Sequence, residues 1–261
     1  MIMSYAFDLI SDLFLTNANQ VKFNYKQSSP IAIVAGNVAS DKEVLLEVLT
    51  NLSECYTHVF FIDGFFEHYG KWDRILETVE EIGEICEMFS NVTYLQDKVI
   101  ISEGVAIVGT NGWWDYKFDP KVDQDQAVKW HRDKYKLNDS DIESILSIAV
   151  QDAVYLYNSV GRLQKHGDVR NIVIVTNATP EYSLVKHNSS LNETYRASVL
   201  GNSLLSRVRI ADTEQKLTTW CHGAYSSGVA ESMGYTTYYN NPMKRLGQED
   251  NLIYCPRRIV V

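Results

Sequence analysis

The feature that most constrains this chain is an alternation. Short, apolar, β-branched runs recur along it, and most stop abruptly in small or polar residues. They occupy Ala6–Ile10, Ile31–Ala35, His58–Ile62, Val105–Gly109, Asn171–Thr176 and residues 217–221 and 235–239. Runs of this length and composition predict buried strands. Between them lie stretches with apolar residues at helical spacing. Residues 42–54 carry Val44, Leu45, Val48 and Leu49 on one face, and residues 72–89 carry Ile75, Val79, Ile82, Ile85 and Met88/Phe89. Residues 141–164 follow an Asn138-Asp139-Ser140 start that can cap a helix, and residues 193–210 form a fourth stretch. Strands alternating with helices predict a layered α/β fold. Closely spaced pieces at Val92–Tyr94, residues 99–101 and Val105–Gly109 add a meander, so the sheet should be mixed.

At 261 residues the chain can bury a substantial core. No repeat, low-complexity tract or linker divides it, so a single domain over 1–261 is expected. Its most polar part, residues 116–141 with "KVDQDQAVKWHRDKYKLNDSD", is expected to run as an exposed excursion over one edge. The net charge of −9 disfavours general affinity for nucleic acid or anionic membranes. Cys55, Cys86, Cys221 and Cys255 form no CxxC pair, which predicts reduced thiols and a cytoplasmic location. The N-terminal run has Asp8 and Asp12 and no basic residue before Lys22, a poor match to a signal peptide. No apolar run is long enough to span a bilayer. Sequons such as Asn188-Ser189-Ser190 carry little meaning without secretion.

The loops after the strands read "SDLF" (11–14), "AGN" (35–37), "DGFFE" (63–67), "TNATP" (176–180) and "HGAYS" (222–226). In order and spacing they resemble the calcineurin-like metallophosphoesterase family, whose loops read roughly SDxH, GD, GNHE, THHxP and HGHxH. "NVTYLQDKVIISEGVAIVGTNGWWD" (91–115) is similar to the family segment with two short strands and a Gly-Thr-x-x-Trp loop. "YYNNP" (238–242) is similar to its Asn-Pro near the C-terminus. The likeness covers nearly the whole chain. It implies a two-layer mixed β sandwich flanked by helices, with a binuclear metal site at the strand ends that cleaves phosphomonoesters or phosphodiesters. The two divalent ions activate a water and neutralise the phosphate.

Carried over residue by residue, the resemblance leaves little of that site. Asp12 stands at the first aspartate. Phe14 replaces a histidine, Asn37 the bridging aspartate, and Phe65 the ligating asparagine. Phe66 replaces the histidine that acts as general acid. Asn177, Ala224 and Ser226 replace the remaining ligand histidines, so one ligand position of seven is kept. His222 is kept too, but it is not a usual ligand. Two dications about 3.5 Å apart repel by roughly 19 kcal/mol at an effective dielectric of about 20. A bridging carboxylate and strong donors must offset that, and Asn37, Phe14, Phe65 and Phe66 do not. The binuclear site is therefore not expected to assemble. The expected picture is an aromatic plug, with no cofactor. Mn, Fe or Zn would be needed only by a residual hydrolase built on Asp12 with Asn37 and Asn177.

Each of these residues also has a structural reading. Asp12 can cap a turn, Asn37 and Asn177 suit tight loops, and His222 can be a hydrogen-bonded core histidine. Glu67 and His68 are adjacent, so their side chains are expected to diverge and not to form a new metal pair. Trp113 and Trp114 are expected to pack at the rim of the former site, where they could also offer an aromatic platform. Cys221 and His222 should point to opposite faces of a strand, so they are not expected to form a nucleophile–base pair. No Walker loop or G-x-S-x-G is present. The expectation is a pseudoenzyme that acts by binding a protein partner or a phosphate-bearing ligand. A residual hydrolase and a homo-oligomeric scaffold are the alternatives. Loss of ligands in a compact acidic chain also fits a viral or mobile-element source.

Overall fold

The computed structural model describes residues 5–17, 21–23, 28–185, 198–224, 227–243 and 252–261. In chain order its strands are β1 (Ala6–Ile10), β2 (Val21–Phe23), β3 (Ile31–Ala35), β4 (His58–Ile62), β5 (Val92–Tyr94), β6 (Lys98–Ser102) and β7 (Val105–Gly109). There follow β8 (Asn171–Thr176), β9 (Leu217–His222), β10 (Ala230–Met233), β11 (Thr236–Tyr239), β12 (Leu252–Tyr254) and β13 (Arg257–Val260). The helices are α1 (Lys42–Cys55), α2 (Ile75–Glu87), α3 (Gln124–Tyr135) and α4 (Asp139–Gln164). One sheet has the order β13-β1-β3-β4-β5, a second the order β10-β11-β9-β8-β7-β6, and β12 pairs with β2. Both large sheets are mixed.

Alternation along the strands builds the layers. Val105 and Ile107 of β7 join Val173, Val175 and Cys221 in a core shared with the first sheet. Ala106, Val108, Ile172, Ile174 and Trp220 point the other way, onto Ala153, Leu156 and Val160 of α4. Successive strand residues face opposite sides, so strands covered on both sides read as continuous apolar runs. Helix α1 starts where Asp41 accepts the backbone N–H groups of Glu43 and Val44 at 2.9 and 3.1 Å. Helix α4 starts at a reciprocal capping box between Asn138 and Asp141.

Three sequence-based expectations change. Residues 116–141 are not a uniformly exposed excursion. They contain α3, and Tyr116, Phe118, Ala127, His131 and Leu137 are buried. Residues 72–89 divide into a short 3-10 turn, Trp72–Arg74, and α2. The helix expected over 193–210 reaches outside the described residues. Within them it gives way to a turn and a 3-10 helix, Leu205–Ala211. The cause is tertiary: Gly201 pairs with Thr179, and a Cβ on it would lie 2.4 Å from the Thr179 carbonyl oxygen. The Asn202 amide bonds the carbonyls of Gly112 and Ala149 at 2.8 and 2.9 Å. Backbone pairing thus holds this stretch open.

No helix among the described residues is long and apolar enough to cross a membrane. All four cysteines are free thiols.

Candidate functional site

Strands β1, β3 and β4 run parallel, as do β8 and β9, so their C-terminal ends and following loops gather along one edge. The two sheets meet there. The Asn177 amide after β8 donates to the Ala35 carbonyl at 3.3 Å, and the Ala224 N–H after β9 donates to Asp12 Oδ1 at 2.8 Å. The chain turns left-handed at several of these ends: φ is 54° at Asp12, 50° at Phe14, 57° at Asn37, 23° at Trp113 and 58° at Ala224. That conformation costs an L-residue roughly 1–2 kcal/mol. Such outliers concentrate where loops are shaped for a site.

At the centre, the Asn37 amide ties two of the loops together. Its Nδ2 donates to Asp12 Oδ1 at 2.8 Å, and its Oδ1 accepts the Phe66 N–H at 3.0 Å. Asn177 Oδ1 accepts the Phe65 N–H at 3.4 Å. The glycine backbones close the remaining space. A Cβ on Gly64 would lie 2.4 Å from Asn37 Oδ1, and one on Gly223 2.6 Å from Asn177 Nδ2. The Asn241 segment braces β1 from behind, where its N–H bonds Ser11 Oγ at 3.0 Å and its side chain bonds the Leu9 carbonyl at 3.1 Å.

Glu67 and His68 belong to separate networks. Glu67 accepts four backbone N–H groups, from Asn37, Val38, Ala39 and Gly64, at 2.5–3.1 Å. Burial pushes its carboxyl up to about 7, against the pull of those donors. His68 Nε2 instead meets Asp63 Oδ2 at 2.7 Å. Tyr94 and Asn111 also donate to the Asp63 carboxylate, at 2.6 and 2.9 Å. Burial alone would push Asp63 up, but the bonds from His68, Tyr94 and Asn111 outweigh it and hold the carboxyl below its ordinary value. Beyond Asn111, Gln96 links to Asp152, which accepts the Gly112 N–H at 2.7 Å. This buried relay fixes the loop that carries Trp113 and Trp114. Apart from Asp63, which stands in a strand-end loop, and His68, noted only as the neighbour of Glu67, nothing in the sequence marks Tyr94, Gln96, Asn111 or Asp152 as partners in it.

Aromatic rings fill the outer part of the site. Phe14 packs edge-on to Phe66 at 5.2 Å and lies 6.3 Å from Phe65, while Phe65 stacks on Trp72 at 6.3 Å and meets Trp114 edge-on at 6.2 Å. The array continues through His131, 5.3 Å from Trp114 and 4.8 Å from Tyr135. Each such pair adds about 0.5–1.5 kcal/mol beyond its burial. Trp113 and Trp114 are buried, so neither is a rim platform. Trp113 lies against the His68 ring at 4.9 Å, and Trp114 forms an inner wall. Trp130, Lys134 and Tyr135 of α3 line the same cavity, Lys134 exposed and the two rings half-buried, which polar composition had concealed.

His222 is fully buried, with its Nδ1 3.0 Å from the Gly223 carbonyl oxygen, and burial holds its imidazole down to about 4. Cys221 packs between the sheets, and burial raises its thiol far above the ordinary range. Ser226 lies outside the described residues.

This donor set does not fit a pair of divalent ions. Asp12 is its one carboxylate, both amides are held in hydrogen bonds at each end, and three positions carry phenyl rings. Among the described residues no three His, Cys, Asp or Glu side chains converge. Hard-ion sites need several carboxylate or imidazole donors.

No protein-family model and no curated protein sequence matches the chain. Its fold is similar to that of the phosphopantetheinyl hydrolase of Mycobacterium tuberculosis, with 14% identity over 97% of this chain and 91% of that one and a TM-score of 0.67. A 5′-nucleotidase from Staphylococcus aureus is more distant, with 10% identity over 92% of this chain and 49% of that one and a TM-score of 0.49. The chain therefore has a phosphoesterase-like fold, two mixed sheets flanked by helices.

Proposed function

We propose that this protein is a calcineurin-like phosphoesterase relative that has exchanged its binuclear site for a hydrogen-bonded, aromatic-filled one, and that it acts by binding. The observation that carries this reading is the Asn37 amide. It bonds Asp12 at one end and the Phe66 backbone at the other, in the place the resemblance gives to the bridging aspartate. An amide so engaged carries no negative charge to offset two dications, and its oxygen is already turned to the Phe66 N–H. Phe14, Phe65 and Phe66 then stand where imidazole and amide donors would be needed. A rigid scaffold that positions its loops well can serve recognition without chemistry.

The strand-end loops, walled by α3, are the binding surface in this reading. They offer apolar rings and few hydrogen-bond donors. That favours an apolar group over a phosphate ester, which needs several cations or N–H groups in the absence of metal. The test is turnover of an aryl phosphomonoester and an aryl phosphodiester with added Mn²⁺. The expected rate equals that of the Asp12→Ala variant. Turnover well above that variant would restore the hydrolase reading.

A further inference from the structure

Between the start of α2 and the first half of α4 lies an open groove of about 550 Å³. Its described lining shares no residue with the cavity beside Phe14 and Phe65. We propose that this groove docks a basic amphipathic helix of a protein partner. The inference goes beyond the strand-end site and stands whether or not that site holds metal.

Shape gives the first argument. On α4, Ser140, Ser144, Ser147 and Gln151 line the groove at helical spacing. On the other side Asp73, Leu76, Glu77 and Glu80 do the same. The α4 stripe is about 16 Å long at 1.5 Å per residue, or three helical turns. Its serines project little and leave the groove its depth. Trp72 and Ile75 are buried in the lining, Ile148 is half-buried, and Leu76 is 68% exposed. A partner helix with apolar residues at i, i+3, i+4 and i+7 would cover Leu76 and Ile148.

Charge names the partner's polar face. The lining carries the carboxylates of Asp73, Glu77, Glu80, Asp141 and Glu143 against one cation, Arg74. Arg74 is already held by Glu81, and Asp141 serves the capping box of α4. Among the described residues no cation pairs with Asp73, Glu77, Glu80 or Glu143. Helix α2 has no Lys or Arg from Ile75 to Glu87, and its last turn opposes the helix dipole. Glu77, Glu80 and Glu84 follow one another at spacings where like charges repel. Lys or Arg side chains of a docked helix would relieve that repulsion. The acids do not converge on a single ion: among the described residues no three His, Cys, Asp or Glu are placed to hold a metal. Carboxylates spread along a groove suit cations spaced along a chain. They repel nucleic acid and anionic membrane alike.

The test uses the full chain and fluorescein-labelled synthetic peptides of about 16 residues, enough for four helical turns, read by fluorescence anisotropy. The first peptide carries Leu at i, i+3, i+4 and i+7 with Lys on the remaining face. The second has the same composition with that spacing scrambled, and the third has Glu in place of Lys. The first should bind at least about ten-fold more tightly than either of the others, and less tightly as salt rises. Changing Glu77, Glu80 and Glu143 together to Gln should weaken it about ten-fold, and Leu76→Gln by a similar factor. All four side chains are exposed, so these variants should keep the fold. The same exchange at Glu47, Glu54 and Glu214, which are exposed and outside the groove, removes equal charge and should change binding by less than about two-fold. The proposal is overturned if the scrambled peptide binds as well as the first, if the groove variants bind as the parent does, if the control exchange weakens binding as much, or if the first peptide does not bind. A concentration-dependent dimer dissolved by Leu76→Gln would give the groove to a second copy of this chain and overturn it too.

Discussion

At the scale of single residues, the site turns on a change from carboxylate to amide. Asn37 and Asp12 approach to 2.8 Å as donor and acceptor. Asn37→Asp would make that contact carboxylate against carboxylate in a fully buried setting. It should lower stability by about 2–4 kcal/mol at pH 7, and by less near pH 4, where the pair can share a proton. Urea unfolding at the two pH values measures both. An unchanged midpoint at pH 7 would mean that the amide bridge is not holding the loops. The sequence exposed the exchange itself, because Asn37, Phe14, Phe65 and Phe66 stand in loops whose order is recognisable. It did not expose what Asn37 bonds, since that requires the Phe66 N–H from another loop to be brought within 3.0 Å. The Glu67 network was hidden for the same reason: its four donors are backbone groups, which every sequence supplies.

At the scale of elements, the strand-end loops work because Gly36, Gly64 and Gly223 leave no room for a Cβ against neighbouring loops. Gly64→Ala would put a Cβ 2.4 Å from Asn37 Oδ1 and 2.6 Å from the Asn37 nitrogen. Backbone cannot yield as a side-chain tip does, so the expected loss is about 3 kcal/mol or more, read as a fall in the denaturant midpoint. Gly70→Ala, where nothing lies within 4 Å, is a poor control because its φ is +78°. Gly167→Ala, with equal space and no such constraint, is the better one. Helix α3 was the element least legible in the sequence. Its inward residues are Ala127 and His131, with Val128, Trp130 and Tyr135 half-buried, so its apolar face is made of amphipathic side chains and reads as polar.

His131 gives that element a pH signature. Its imidazole is neutral in the folded chain, held down to about 3, and titrates near 6.5 when unfolded. The unfolded chain thus binds a proton that the folded chain does not. This contribution is intact above pH 6.5 and is lost as pH falls, by about 1.4 kcal/mol per pH unit. His222 acts in the same direction. Glu67 and Asp152, both pushed up to about 7 by burial, act oppositely, since the folded chain keeps protons that the unfolded chain releases above about pH 4. Between pH 4.5 and 6.5 the two pairs offset one another. His131→Phe removes one side, so the variant should gain on the parent by about 1.4 kcal/mol for each pH unit below 6.5. A difference in stability independent of pH would show that His131 is protonated in the fold.

At the scale of the whole molecule, the fold was the most legible part. Strands buried on both faces need continuous apolar runs, and parallel strands joined by helices need the spacing that this chain has. Nine of the strands begin and end within a residue of where the pattern of apolar runs puts them, as β3 at Ile31–Ala35 and β9 at Leu217–His222 illustrate. Those same runs deliver the loops of both sheets to one edge, which is why residues more than two hundred apart, Asp12 and Ala224, share a hydrogen bond. The cavity was not legible, because it is assembled from the loops after β1, β4, β7 and β9, from Val199 and Leu200, and from α3, whose meeting depends on the closed fold.

The account's central claim is that this edge binds through rings and amides and holds no binuclear metal centre. The most direct measurement is the metal content of the full chain after saturation with Mn²⁺ and removal of free ion by gel filtration. The account predicts a content far below one ion per chain, unchanged in Asp12→Ala. Retention of close to two ions per chain, lost in Asp12→Ala, would contradict it.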